Sequence, residues 1–102
     1  MKNVKGFAIG KSVIIRADRA GVFAGNLKSK SGSEVILTEA RHLWYWSGAV
    51  NCSQLAIDGV GNPGACKFPE SIAEVLITGV IEILPMTSKA VKSINGVAIW
   101  KE

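Results

Sequence analysis

The residues best equipped for chemistry crowd into one stretch, RHLWYWSGAV, residues 41–50. It holds Arg41, the chain's single histidine His42, and the aromatic block Trp44-Tyr45-Trp46. Catalysis finds little support there. His42 with Cys52 or Cys66 would be a nucleophile–base combination, but nothing around either cysteine marks an activated thiol. One histidine cannot build a His-rich metal site. The acidic residues are scattered singly, which gives no paired-carboxylate site. Neither G-x-x-x-x-G-K-[ST] nor G-x-G-x-x-G occurs, and the glycines at 59–64 read as a turn. The expectation is a protein that is not an enzyme and carries no cofactor or metal.

Binding is the better reading of the same residues. Exposed tryptophans form platforms on which bases stack, at about 1–3 kcal/mol per base. Arg41 and His42 would then serve a phosphate or purine edge, with Ser47, Asn51, Ser53 and Gln54 supplying neutral hydrogen bonds. The other reading is structural. Trp44 or Trp46 would cover an open end of the fold, pack on a helix through Leu55 and Ala56, or fill a subunit interface. If the strand leaves the core on approaching Ser47-Gly48, Trp44 is the buried member and Trp46 the ligand-facing one. Lys28 and Lys30, on one strand face, are either phosphate contacts or simply solvated. Lys67, in the loop sequence CKFP, is a further anion-contact candidate.

The elements that must position these residues are mostly strands. KSVIIRAD (residues 11–18) is a short β-branched run, turned by Arg19-Ala20-Gly21. GVFAGNLKSK follows, with glycines where a strongly bent strand tolerates them. After the Ser31-Gly32-Ser33 turn, EVILTEARHLWYW is too long for one flat strand and should bend or carry a bulge. Residues 47–71 form an insertion. Asn51 with Gln54 can cap a short helix near Ser53–Asp58, stopped by Gly59. IAEVLITGVIEILP (residues 72–85) returns to strand, kinked at Gly79. Thr87 or Ser88 caps a last short helix, KAVKSI, and Val97–Trp100 is a candidate edge strand.

At 102 residues the chain reads as a single domain, 1–102. It is 48% hydrophobic, which excludes a disordered tail and leaves more apolar surface than one small core hides. Self-association is one outlet for the excess. No apolar run reaches the roughly 18 residues of a membrane span. The opening MKNVKGFAIGK lacks the features of a signal peptide, so a cytoplasmic protein with two free thiols, Cys52 and Cys66, is expected. Residues 1–42 carry eight basic side chains against three acidic ones, a net of +5, whereas the remainder carries four lysines against five acids. That asymmetry suits an anionic partner or serves solubility.

The order of KSVIIRAD, AGVFAGNLKSKSG, SEVILTEA and AEVLITG–VIEILP is similar to the strands of Sm-like proteins. It implies a mainly β (α+β), Sm-like or SH3-like barrel of five to six strands, with an inserted helix and a C-terminal one. Thr78-Gly79 stands where that family has Arg-Gly, and its Asp/Asn pair before the third strand is missing, so its RNA site does not carry over. Exposed barrel edges of this kind often pair into rings. Separately, WYWSGA, SQLA, CKFP and VIEILP resemble a family of small uncharacterised tailed-phage proteins, which implies a viral origin but no established activity. The combined expectation is a non-catalytic, oligomeric phage protein that binds a nucleotide-type anion, for instance a host cyclic-nucleotide defence signal. A protein-interaction module that inhibits a host enzyme, a minor virion component and a single-stranded nucleic-acid binder are the alternatives.

Overall fold

The computed structural model describes residue 4 and residues 6–101. Lys2, Lys5 and Glu102, counted in the charge asymmetry, lie outside the described residues. Five antiparallel strands make one sheet: β1 (Ser12–Ala17), β2 (Gly21–Ser31), β3 (Glu34–His42), β4 (Ile72–Ile77) and β5 (Val80–Pro85). Between β3 and β4 come helix α1 (Cys52–Asp58) and a 3₁₀ turn (Pro63–Ala65), and helix α2 (Ser88–Asn95) follows β5. The spatial order is β4-β3-β2-β1-β5.

That order explains the curvature. β4 and β5 lie at opposite edges of the sheet, yet only Thr78 and Gly79 connect them. A flat sheet cannot place its two edges two residues apart, so this one curls into a barrel. The corner is held by backbone bonds, Asp18 N–H to Gly79 O at 2.8 Å and Val80 N–H to Ser33 O at 2.9 Å. Gly79 sits at φ 73°, a conformation that favours glycine. The expected kink at this position is present, and the expected mainly-β barrel is the observed architecture.

The expected irregularity in the third strand is a bulge. Asn26 pairs with Thr38 and Ala24 with Arg41, so Glu39 and Ala40 together oppose Gly25. Glu39 takes φ 49°, and a Cβ on Gly25 would stand 3.0 Å from Thr38 O, which is why glycine fits there. The extra residue reverses the inside–outside alternation. Before it Val35 and Leu37 face the barrel interior; after it Ala40 does, while Leu43 joins a different cluster.

Two cores result. The barrel interior gathers Val13, Ile15, Ala17, Leu27, Val35, Leu37, Ala40 and Ile77. The second core lies between the outer side of the sheet and the helices: Ile14, Ala24, Leu43, Leu55, Ala56, Phe68, Ile94 and Val97, among others. β1 serves both, with Val13 and Ile15 on one side and Ile14 on the other.

The helices are short and rely on capping and packing. Asn51 Oδ1 accepts from Gln54 N–H at 2.9 Å, and Gln54 Oε1 accepts from Val50 N–H at 2.8 Å. Thr87 caps α2 through Ala90 N–H at 3.1 Å and donates its hydroxyl to Ile57 O at 2.6 Å, joining the two helices. Gly59 ends α1 directly against Ser93, where a Cβ would collide. Val97–Trp100, expected as an edge strand, makes only an isolated parallel bridge, Phe68 with Ile99.

Candidate functional site

Beyond β3 the chain runs beside two other segments. Tyr45 and Lys67 exchange backbone bonds, Lys67 N–H to Tyr45 O at 2.8 Å and Tyr45 N–H to Lys67 O at 3.3 Å. On the next residue, Phe68 O accepts from Trp100 N–H at 2.9 Å. Extended segments alternate their side chains. Leu43 and Phe68 therefore go into the second core, while Trp44 and Lys67 turn outward. Trp100 joins them from the C-terminal side.

The outward residues form a cluster. The Trp44 and Trp100 rings stack at 5.3 Å between centroids and 7° between planes. The Lys67 ammonium lies 5.7 Å from each of those rings and 6.0 Å from Tyr45. These are cation–π distances. Trp44 is 57% exposed, Tyr45 50% and Trp100 39%, which is unusual for three large aromatics in one place. A flat ring can stack on the open face of Trp44 while an anionic substituent reaches Lys67.

Trp46 behaves in the opposite way. It is half-buried against the second core, which contains Leu55 and Ala56, and its Nε1–H donates to Ala49 O at 3.3 Å. The expected order of burial is thus reversed: Trp44 is the exposed tryptophan and Trp46 the structural one. The segment does not leave the core at Ser47-Gly48: Asn62 N–H bonds to Ser47 O at 3.3 Å and Gly61 N–H to Gly48 O at 3.1 Å, so the chain stays against the insertion and Trp46 packs on the second core.

Arg41 is not placed to meet a ligand phosphate. It is 7% exposed, and its guanidinium donates to four carbonyls: Pro69 (2.9 Å), Ile94 (2.9 Å), Phe68 (3.2 Å) and Val97 (2.7 Å). It also lies 5.5 Å from the Phe68 ring centroid. Burial lowers its pKa from the ordinary value, yet a guanidinium stays protonated in proteins. His42 stacks on Phe23 with centroids 4.6 Å apart, and burial lowers its pKa too.

The remaining candidates divide by position. Asn51 and Gln54 are engaged in capping α1. Ser47 belongs to the turn against the 61–66 loop: its amide meets Cys66 Sγ at 3.5 Å and its hydroxyl accepts from Asn62 at 3.4 Å. Lys28 forms an ion pair with Glu74 at 2.9 Å. Lys30 pairs in register with Val35, nine positions before Trp44. At about 3.3 Å per residue, that puts Lys30 up to about 30 Å from the aromatic cluster. Lys28 and Lys30 therefore share no pocket with the tryptophans. Only Trp44 and Lys67 of the expected set come together, and they gain Tyr45 and Trp100. Trp100 was legible only as an edge-strand residue; its partner depends on the tertiary path of the C-terminal segment.

A groove of about 490 Å³ adjoins this region, with Glu39, Arg41, Glu70, Asn95 and Ile99 among its lining. Ile99 borders the groove while the next residue, Trp100, stacks on Trp44. Both cysteines are free thiols, Cys66 buried and Cys52 half-buried. Burial and the nearby Glu82 carboxylate raise the Cys52 pKa, against a smaller opposing effect of Arg16.

A family described as a domain of unknown function, DUF6948, matches residues 10–94. The chain belongs to this family. The match takes in the whole sheet, α1 and all of α2 but its last residue, and ends before Trp100. No curated protein and no solved structure matches the chain. Among the described residues, no helix is long and apolar enough to cross a membrane.

Proposed function

We propose that this chain is a non-catalytic binding protein whose rim, built from Trp44, Tyr45, Lys67 and Trp100, takes a nucleotide-type anion. The observation that supports it is the Lys67 ammonium set among three exposed aromatic rings. The base stacks on Trp44, and Lys67 meets the phosphate. Arg41, His42, Lys28 and Lys30 are left out of this site for the geometric reasons above. On the resemblance to phage proteins, the role is to sequester a host nucleotide signal in the host cytoplasm. A single-stranded nucleic acid offers the same base and phosphate chemistry.

The test is equilibrium binding to a panel of mononucleotides, cyclic nucleotides and short oligonucleotides. Lys67→Ala should weaken binding most at low salt, because a phosphate contact is screened as salt rises. A wild-type protein that binds none of the panel, or a Trp44→Ala protein with unchanged affinity, would overturn the reading.

Self-association has its own support. The free edges of β4 and β5 end the sheet, and Ile72 and Leu76 of β4 and Ile81 of β5 are exposed apolar residues. Such edges invite strand pairing between copies. Sedimentation across micromolar concentrations should show an assembly heavier than 10.8 kDa, and Leu76→Lys should dissociate it.

A further inference from the structure

We infer that Arg41 is the positioning residue of this rim: its guanidinium anchors the C-terminal strap, residues 97–100, so that Trp100 completes the platform against Trp44. The inference rests on the rim being the binding site, but its structural half stands separately.

The first observation is how Arg41 is bound. A buried cation is normally balanced by a carboxylate. Arg41 has no carboxylate within ion-pairing distance among the described residues and is satisfied by carbonyl oxygens alone. Those carbonyls belong to two places, Phe68 and Pro69 in the loop before β4, and Ile94 and Val97 around the end of α2. The guanidinium therefore joins two segments that are far apart in sequence. Its planar fork can reach several acceptors at fixed angles, which a lysine ammonium cannot do from one position. The charge also sits where the last carbonyls of α2 carry partial negative charge.

The second observation is what those segments do next. Phe68 O takes two donors, the Arg41 Nη2–H and the Trp100 amide. Two residues separate Val97, bonded to Arg41, from Trp100, stacked on Trp44. Beyond the Phe68–Ile99 bridge, the strap pairs with no other strand among the described residues. Arg41 holds both rails on which the strap lies.

The experiment uses AMP as the probe, with Arg41→Lys, Trp100→Ala and the double variant. Two parallel stacked indoles give a coupled-oscillator band in ultraviolet circular dichroism. Arg41→Lys should keep the dispersed amide spectrum of the barrel, lose that band, and weaken AMP about five- to tenfold. Trp100→Ala should do the same, and the double variant should be no worse than either single one. A folded Arg41→Lys protein that keeps the band, or a double variant whose losses multiply, overturns the inference. If wild type does not bind AMP, the proposed function fails for that ligand while the dichroism still decides the role of Arg41. If Arg41→Lys does not fold, hydrogen exchange on wild type replaces it. The Arg41 guanidinium protons and the Trp100 amide should become exchangeable together. A freely exchanging Trp100 amide beside protected guanidinium protons shows a strap that opens without Arg41, and overturns the inference.

Discussion

The barrel core and the helix-side core share one sheet but are built on different terms. The barrel interior is supplied by strands and the segment leading into β1, all packing across a curled sheet. The helix-side core draws on β1, β2, Leu43 just past β3, the insertion, α2 and the C-terminal strap. Its buried polar anchor is Arg41, bonded to four backbone carbonyls, whereas no charged residue is buried in the barrel interior among the described residues. The difference shows where a small barrel carries function. The closed, all-apolar side fixes the shape, and the side patched from loops and caps presents Trp44, Lys67 and Trp100.

The largest effects should come from removing the anchor of each core. Phe68→Ala should cost about 3–5 kcal/mol and Leu37→Ala about 2–5 kcal/mol in denaturant unfolding. Amide exchange then separates the cores. Phe68→Ala should speed exchange in α1 and α2 more than in β2 and β3, while Leu37→Ala should speed it throughout. Uniform acceleration in both variants would show a single cooperative unit and break the comparison.

The tryptophans sharpen it next. Trp44→Ala should weaken nucleotide binding by about 1–3 kcal/mol with little loss of fold. Trp46→Ala should instead lower stability through lost packing, with ligand affinity kept in the folded fraction. The opposite pattern, stability lost at 44 and affinity at 46, would remove the exposed platform.

A smaller effect belongs to the caps. Asn51→Ala should cost about 0.5–2 kcal/mol, visible as a lowered thermal midpoint. Because Gln54 and Asn51 are engaged in capping, the substitution should leave binding unchanged. A selective loss of affinity would return Asn51 to the site.

The smallest concerns pH. Burial against Phe23 lowers the folded-state pKa of His42 below 6.5, so the unfolded chain binds the proton more readily. Stability should therefore be full above the unfolded value and fall as pH drops through it toward the folded one. His42→Gln should flatten that slope between pH 7 and 5. A slope that survives the substitution would place the titration elsewhere.

Much of the barrel was legible in the sequence, since KSVIIRAD, EVILTEA and VIEILP carry their own apolar, β-branched pattern. The Asn51 cap and the Gly79 kink were legible too, because capping and positive-φ turns are local. The site was less so. Reading Trp44 as buried followed from a strand expected to leave the core on approaching Ser47-Gly48, whereas backbone bonds from Gly61 and Asn62 hold that turn and Trp46 stays on the second core. Arg41 beside aromatics looked like a phosphate contact because its four carbonyl partners lie 27 to 56 positions away.

The sequence by itself determined the strand-rich pattern, the turns, the helix caps and the density of aromatic and basic residues near 41–46. These depend on side-chain type and on neighbours within a few positions. The tertiary structure alone decided that Lys67 and Trp100 stand beside Trp44, and that Arg41 is an anchor rather than a contact. Those outcomes depend on three segments laid side by side by long-range backbone bonds, and a spacing along the chain carries no record of them.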